Sequence, residues 1–181
     1  MFKRRIKNKI LREVVEYAFA LAIAAVVFFV VYNYVARTGI VDGVSMNDTL
    51  RHGQIVVINK VAYWFNEPRQ GDIVTFPDPE NPERHLIKRI VAVSGDEVDF
   101  IAGYVFVNGI PLAEEFGAAG SGVGSVRFPH TVAEGAVFVL GDNRIQSKDS
   151  RFIEVGDIPV EDITGRVTFR LLPFRDFGMI R

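Results

Sequence analysis

Twenty consecutive residues, Tyr17–Ala36 (YAFALAIAAVVFFVVYNYVA), carry no formal charge. As a helix rising about 1.5 Å per residue, they reach roughly 30 Å, the depth of a bilayer's hydrocarbon core. A segment in lipid has to satisfy its own backbone polar groups, and a helix does so. The run is apolar on every side, whereas a helix lying on a soluble core keeps a polar face. Lys3, Arg4, Arg5, Lys7, Lys9 and Arg12 precede it, against Glu13 and Glu16. That bias puts the N-terminus in the cytoplasm and the chain after Ala36 outside. Tyr32 and Tyr34 suit an aromatic belt at the outer interface. The run is longer than the apolar stretch of a signal peptide, about 7–15 residues, and no A-x-A site closes it. It therefore reads as an uncleaved anchor in the cell membrane. The expected organisation is a basic cytoplasmic tail (1–14), a transmembrane anchor (15–36) and an extracytoplasmic domain (37–181).

Charge divides along the same line. Residues 1–36 hold six basic and two acidic groups, while the remainder holds 15 basic and 20 acidic. An acidic outer domain excludes nucleic acid as a partner. The basic tail suits anionic lipid head groups. With no cysteine in the chain, disulfides, thiolate metal sites and a cysteine nucleophile are excluded.

The outer domain reads as β. Gln54–Asn59, Asp72–Phe76, Leu86–Val93, Glu97–Ile101, Tyr104–Val107, Ala136–Leu140 and Ile163–Leu171 are short runs rich in Val, Ile and Phe, separated by Gly, Asn and Pro. Asn108-Gly109 is a hairpin signal. The fold class expected is mainly β, a coiled antiparallel sheet or barrel-like body behind one N-terminal helix. Ala113–Gly124, rich in Gly and Ala, reads as a mobile loop.

Three places carry candidate chemistry. Gly141–Arg151 (GDNRIQSKDSR) follows the apolar run Ala136–Leu140. It is too polar for a core and suits a tight turn that bonds to itself and to backbone. Ser45 lies in Val41–Leu50 (VDGVSMNDTL), just beyond the anchor, and Gly43 beside it permits close approach of a ligand. A serine needs a base to become a nucleophile. His52, His85 and His130 read as surface residues, too scattered for a zinc site. Lys88 is the better base. By strand alternation it shares a face with Leu86, Ile90 and Ala92, and burial there lowers a lysine pKa toward the 7–8 or so that a general base needs.

Ser45-Met46, Leu86-Ile87-Lys88-Arg89-Ile90-Val91 and GDNRIQSKDSR, in this order behind one anchor, resemble the bacterial type I signal peptidases, in their short Gram-positive form. Gly71-Asp72, Gly95-Asp96 and Ile163-Thr164-Gly165-Arg166-Val167 extend the likeness. It implies a membrane-bound serine endopeptidase with a lysine general base. Such an enzyme cleaves signal peptides from exported preproteins after small residues at −3 and −1, with the secretion translocon as a possible further partner. Ser45 would attack the scissile carbonyl, and Lys88 would take and return its proton. Ser147 would hydrogen-bond Lys88, Asp149 and Arg151 would pair, and Asp142 and Asn143 would fix the turn. Val41, Met46, Leu50, Leu86 and Ile87 would wall the substrate pockets. No cofactor or metal is implied.

The chain departs from the family's pattern at Asp48 and Ser94, where proline is usual. Both changes are expected to loosen the backbone, and Asp48 to raise the Lys88 pKa. Two alternatives follow. A non-catalytic preprotein-binding paralogue would explain those departures. A LexA-like self-cleaving Ser-Lys peptidase would share the dyad, but Ala119-Gly120 is misplaced for its cleavable linker.

Overall fold

A computed structural model describes residues 2–113 and 124–180. Most of the loop expected over Ala113–Gly124 lies outside the described residues. Two units emerge, Met1–Ala36 and Arg37–Arg181.

The first unit is a helix, α1 (Phe2–Val30), that ends in a π-helical turn over Val31–Val35. It starts well inside the expected tail, because nothing between Phe2 and Tyr17 breaks a helix: the stretch holds no Gly or Pro. Leu11–Val35 is long and apolar enough to cross a bilayer, with a mean hydropathy of 2.6.

The second unit is built from twelve strands. They are β1 (Ala36–Ile40), β2 (Ile55–Asn59), β3 (Ile73–Asp78), β4 (Asn81–Val93), β5 (Glu97–Ile101) and β6 (Tyr104–Val107). β7 (Ile110–Pro111), β8 (His130–Thr131), β9 (Ala136–Leu140), β10 (Ile158–Pro159), β11 (Gly165–Leu172) and β12 (Gly178–Met179) follow. The larger sheet runs β1-β2-β11-β3-β4-β9-β10, with β12 on β11, and the smaller runs β7-β6-β5-β8. β3 and β4, β4 and β9, and β5 and β6 pair antiparallel. The mainly β reading holds, and each expected run contains a strand. The hairpin at Asn108-Gly109 also forms, with φ of 51° and 75°, the left-handed pair that a type I′ turn requires. Ala36, expected to end the anchor, is the last residue of the first unit and the first of β1.

Strand β4 is longer than expected. Its polar first half, Asn81–His85, is exposed and extends the β3–β4 hairpin as an arm to the Asp78–Asn81 register. It also departs from plain alternation. Arg89 faces Leu140 and Ile90 faces Val139, but the next partner of β9, Phe138, faces Ala92. Val91 is the extra residue of a β-bulge. Ala92 therefore leaves the side it was expected to share with Ile90. Val91 and Ala92 pack together against Phe138, Leu140 and Val98, whereas Ile90 packs with Val74, Phe76 and Val139. A third cluster holds Val41, Met46, Leu50, Val56, Ile58 and Ile73.

Candidate active site

The turn that carries Ser45 is pinned from below. Met46 and Leu50, 2% and 0% exposed, are inserted in the third cluster. Thr49 and Leu50 N–H both donate to Met46 O, at 3.1 and 2.7 Å. Gly43 takes φ +98° in the lead-in, a conformation that suits glycine. Ser45 itself stays partly exposed.

Lys88 reaches this turn from the middle of β4. Its Nζ donates to Ser45 Oγ at 2.7 Å. The lysine is 2% exposed. Burial pushes its pKa down from 10.5 to about 8; Asp149 opposes that shift, while Arg84 and Arg151 reinforce it. Asp48 is not among the charges that move it. The expectation for Asp48 fails because its side chain is exposed, where water screens it. Its backbone takes φ +82°, which proline's ring forbids. The aspartate therefore gives the turn a different conformation from a proline's, not a looser copy of it. Ser94 also does more than loosen its turn. Its Oγ accepts the N–H of Gly135 at 3.2 Å, a bond proline could not make.

The loop 141–151 holds the turn from the other side. Asn143 N–H donates to Ser45 O at 3.0 Å, and its amide donates to Val44 O at 3.2 Å. Asp142 accepts a two-pronged bond from Arg89, Nε to Oδ1 at 2.9 Å and Nη2 to Oδ2 at 2.8 Å. It also accepts the Thr49 hydroxyl at 2.5 Å. Arg89 additionally donates to Gly71 O. Asp149 and Arg151 form a second fork at 2.7 and 2.9 Å, and Asp149 also accepts the N–H of Gly141. Arg89, Asp142, Asp149 and Arg151 are all buried.

Glycine at 141 is a steric requirement. A Cβ there would lie 2.3 Å from Ser147 Oγ and 2.5 Å from Ser45 O. Ser147 is thus packed close to the backbone carbonyl of Ser45. Its expected hydrogen bond to Lys88 is not formed, because Lys88 points its amine at Ser45. Ser147 Oγ is buried without a hydrogen-bond partner among the described residues. Burying a hydroxyl so costs about 1–3 kcal/mol.

A cleft of about 360 Å³ opens over Ser45 and Lys88. Val41, Met46, Leu86 and Ile87 line it as expected. Leu50 does not; it is fully buried beneath, in the third cluster. Ile40, Val44 and Val155 add to the apolar lining, and Asp78, Glu80, Arg84, His85 and Lys148 form a charged part. The charged part was not anticipated, although Arg84-His85 directly precede Leu86 and Lys148 directly follows Ser147. His52 accepts the Gly43 N–H at 3.2 Å, and His130 pairs with Asp157 at 2.8 Å. Neither lines the cleft. No cluster of three metal-binding side chains occurs among the described residues.

The family described as "Signal peptidase, peptidase S26" matches residues 14–172 of this chain. The chain belongs to that family. It is similar to signal peptidase IB of Staphylococcus aureus (strain COL), 31% identical over 92% of this chain and 93% of that protein. The probable signal peptidase I-1 of Synechocystis is 34% identical over 88% and 83% of the two chains. The crystal structure of a signal peptidase I from Enterococcus faecalis V583 is 27% identical, with a TM-score of 0.46 over 57% of this chain and 98% of that one. Membership places the chain among the hydrolases that are peptidases, and Ser45, Lys88 and the loop 141–151 all lie within the matched region.

Proposed function

We propose that the protein is a membrane-anchored serine endopeptidase that removes signal peptides from exported preproteins, with Ser45 as nucleophile and Lys88 as general base. The observation that carries this reading is the 2.7 Å contact between a partly exposed serine and a buried lysine at a cleft. A lysine can act as a base only when neutral. Burial that lowers its pKa to about 8 supplies the neutral amine at mildly alkaline pH.

In the forward step neutral Lys88 takes the hydroxyl proton of Ser45 as Oγ bonds to the scissile carbonyl carbon. The carbonyl oxygen gains the negative charge, and the backbone N–H of Ser45 lies on the chain where it can help receive it. The ammonium of Lys88 then returns that proton to the leaving amine as the C–N bond breaks. Water, deprotonated by the same lysine, attacks the acyl carbonyl carbon, and the lysine returns that proton to Ser45 Oγ as the ester C–O bond breaks and the acid leaves. The apolar walls at Val41, Val44, Met46, Leu86 and Ile87 suit small side chains at −1 and −3, since a shallow pocket rejects bulk by sterics. Ser147 supports the cycle: its unpartnered buried hydroxyl is available to the Lys88 amine once that amine turns from Ser45.

The test is cleavage by the full chain in detergent of a preprotein with an A-x-A site. One cut after the second alanine is expected, read by mass spectrometry, with kcat/KM rising about tenfold per pH unit below the lysine's pKa and levelling above about pH 8. An intact preprotein across the pH range overturns the proposal.

The same reading places Leu11–Val35 across the cell membrane with its basic end in the cytoplasm. Protease added to intact cells or spheroplasts is expected to digest the β domain. A domain that stays protected until the membrane is lysed reverses the orientation.

A further inference from the structure

Apart from the long-range effect of Arg84 and Asp78 on the Lys88 amine, the charged part of the cleft has no task in the reaction proposed above. Leu86 and Arg84 continue the Lys88 side of β4, at about 3.3 Å per residue. Arg84 is therefore roughly 13 Å along the strand from the lysine, about four residues of an extended peptide. In this part Lys148 Nζ donates to Glu80 Oε2 at 2.5 Å. The pair joins the two walls of the cleft, the β3–β4 arm and the 141–151 loop. Both side chains are about half exposed, 46% and 54%. A pair so wet is weak, and a competitor of like charge can replace either member.

The two members are not held alike. Lys148 lies between Ser147 and Asp149, both buried. Asp149 is forked to Arg151, and Arg151 also donates to Ser147 O at 3.2 Å. The lysine's backbone is thereby fixed on both sides. Glu80 stands on the exposed tip of a hairpin, where its N–H donates to Asp78 Oδ1, a contact inside the same tip. Opening the pair therefore moves Glu80 and leaves Lys148 in place. With Glu80 turned away, the Lys148 ammonium is left without its hydrogen-bonded carboxylate, with Glu154 and Asp78 acting on it only at longer range.

We propose that Lys148 is a specificity determinant that binds the carboxylate of an acidic residue in the preprotein, within about four residues of the cleaved bond. Glu80 occupies that place until substrate displaces it. The inference rests on the reading of the cleft as a preprotein site, and its test does not use cleavage. The probe is a fluorescein-labelled peptide with an A-x-A site, bound to the full Ser45→Ala chain in detergent micelles and read by anisotropy. A single Asp, Asn or Lys is moved through four positions on either side of the bond. At one position the Asp peptide is expected to bind about two- to fivefold tighter than the Asn peptide, the range of a half-exposed pair. Glu80→Gln is expected to tighten that Asp peptide further. Lys148→Gln is expected to erase the preference, and Lys148→Glu to transfer it to the Lys peptide. Equal binding of Asp and Asn at every position overturns the proposal, as does a preference that survives Lys148→Gln or binding by no peptide. Cleavage of the neutral peptide by the wild-type chain stands or falls separately.

Discussion

Ser45→Ala and Lys88→Met are each expected to lower kcat for preprotein cleavage by about 10⁴- to 10⁶-fold, the loss seen when one member of a nucleophile–base unit is removed. The two losses should not add. Without Lys88 the hydroxyl of Ser45 keeps its proton, and without Ser45 the amine has nothing to deprotonate. Lys88→Arg is expected to be as inactive as Lys88→Met, since a guanidinium does not give up its proton at working pH. Ser147→Ala is expected to be milder, about tenfold in kcat with KM little changed, because it touches the positioning of the base and not the reacting atoms. A Lys88→Met enzyme that keeps more than about 1% of kcat would remove the lysine from the mechanism, and an unchanged kcat in Ser147→Ala would remove that serine from its supporting role.

Stability gives Lys88→Met a second and opposite signature. The folded-state pKa of Lys88, about 8, lies below its ordinary 10.5. Below pH 8 the folded protein must bury an ammonium that the unfolded chain leaves in water. From the size of that difference the cost is about 3 kcal/mol. It is fully present below pH 8, fades as pH rises toward 10.5 and is absent above. Methionine is apolar and of similar length, so the inactive variant is expected to melt several degrees higher at pH 7, with the gain shrinking from pH 8 upward. An inactive variant that also melts lower at pH 7 would contradict the burial argument.

How much of this could be read from residues alone depends on how local the signal is. The apolar helix, the β runs and the Asn108-Gly109 turn are local, and each formed. Lys88 stood out because a charge within an apolar strand needs a reason, and Ser45 because a motif accompanied it. Three things were not local. The β-bulge at Val91 depends on how β9 aligns with β4, so plain alternation misplaced Ala92. The exposed arm Asn81–His85 is a strand because β3 pairs with it, while its own residues lack the Val, Ile and Phe that mark the other runs. The partner of Arg89 lies 53 residues away at Asp142, and nothing in either local sequence couples them. Leu50 looked like a pocket wall for its closeness to Ser45, yet the turn it closes directs it into the core. The φ of Asp48 was likewise hidden, since proline and aspartate both mark turns but of different hand.

Asp142→Leu is expected to cost about 3–5 kcal/mol of stability, because it leaves the Arg89 guanidinium buried without its carboxylate. For a domain of this size that is about 6–20 °C in melting temperature. Activity should fall as well, since Asp142 also takes the Thr49 hydroxyl and so ties the 141–151 loop to the turn that carries Ser45. The double variant Arg89→Met/Asp142→Leu separates the two effects. Replacing both charges by apolar groups removes the buried guanidinium that has lost its carboxylate, and much of the melting temperature is expected to return. The tie to Thr49 does not return, so kcat is expected to stay at least about tenfold below wild type while KM for a neutral A-x-A peptide changes little, a loss confined to the transition state. The prediction discriminates because a merely structural fork would restore activity together with stability. A double variant with wild-type kcat would show that Asp142 serves folding alone. A single Asp142→Leu variant that melts within a degree or two of wild type would show that the other bonds of Arg89, to Gly71 O and Thr49 Oγ1 among them, suffice and that the fork does not hold the turn.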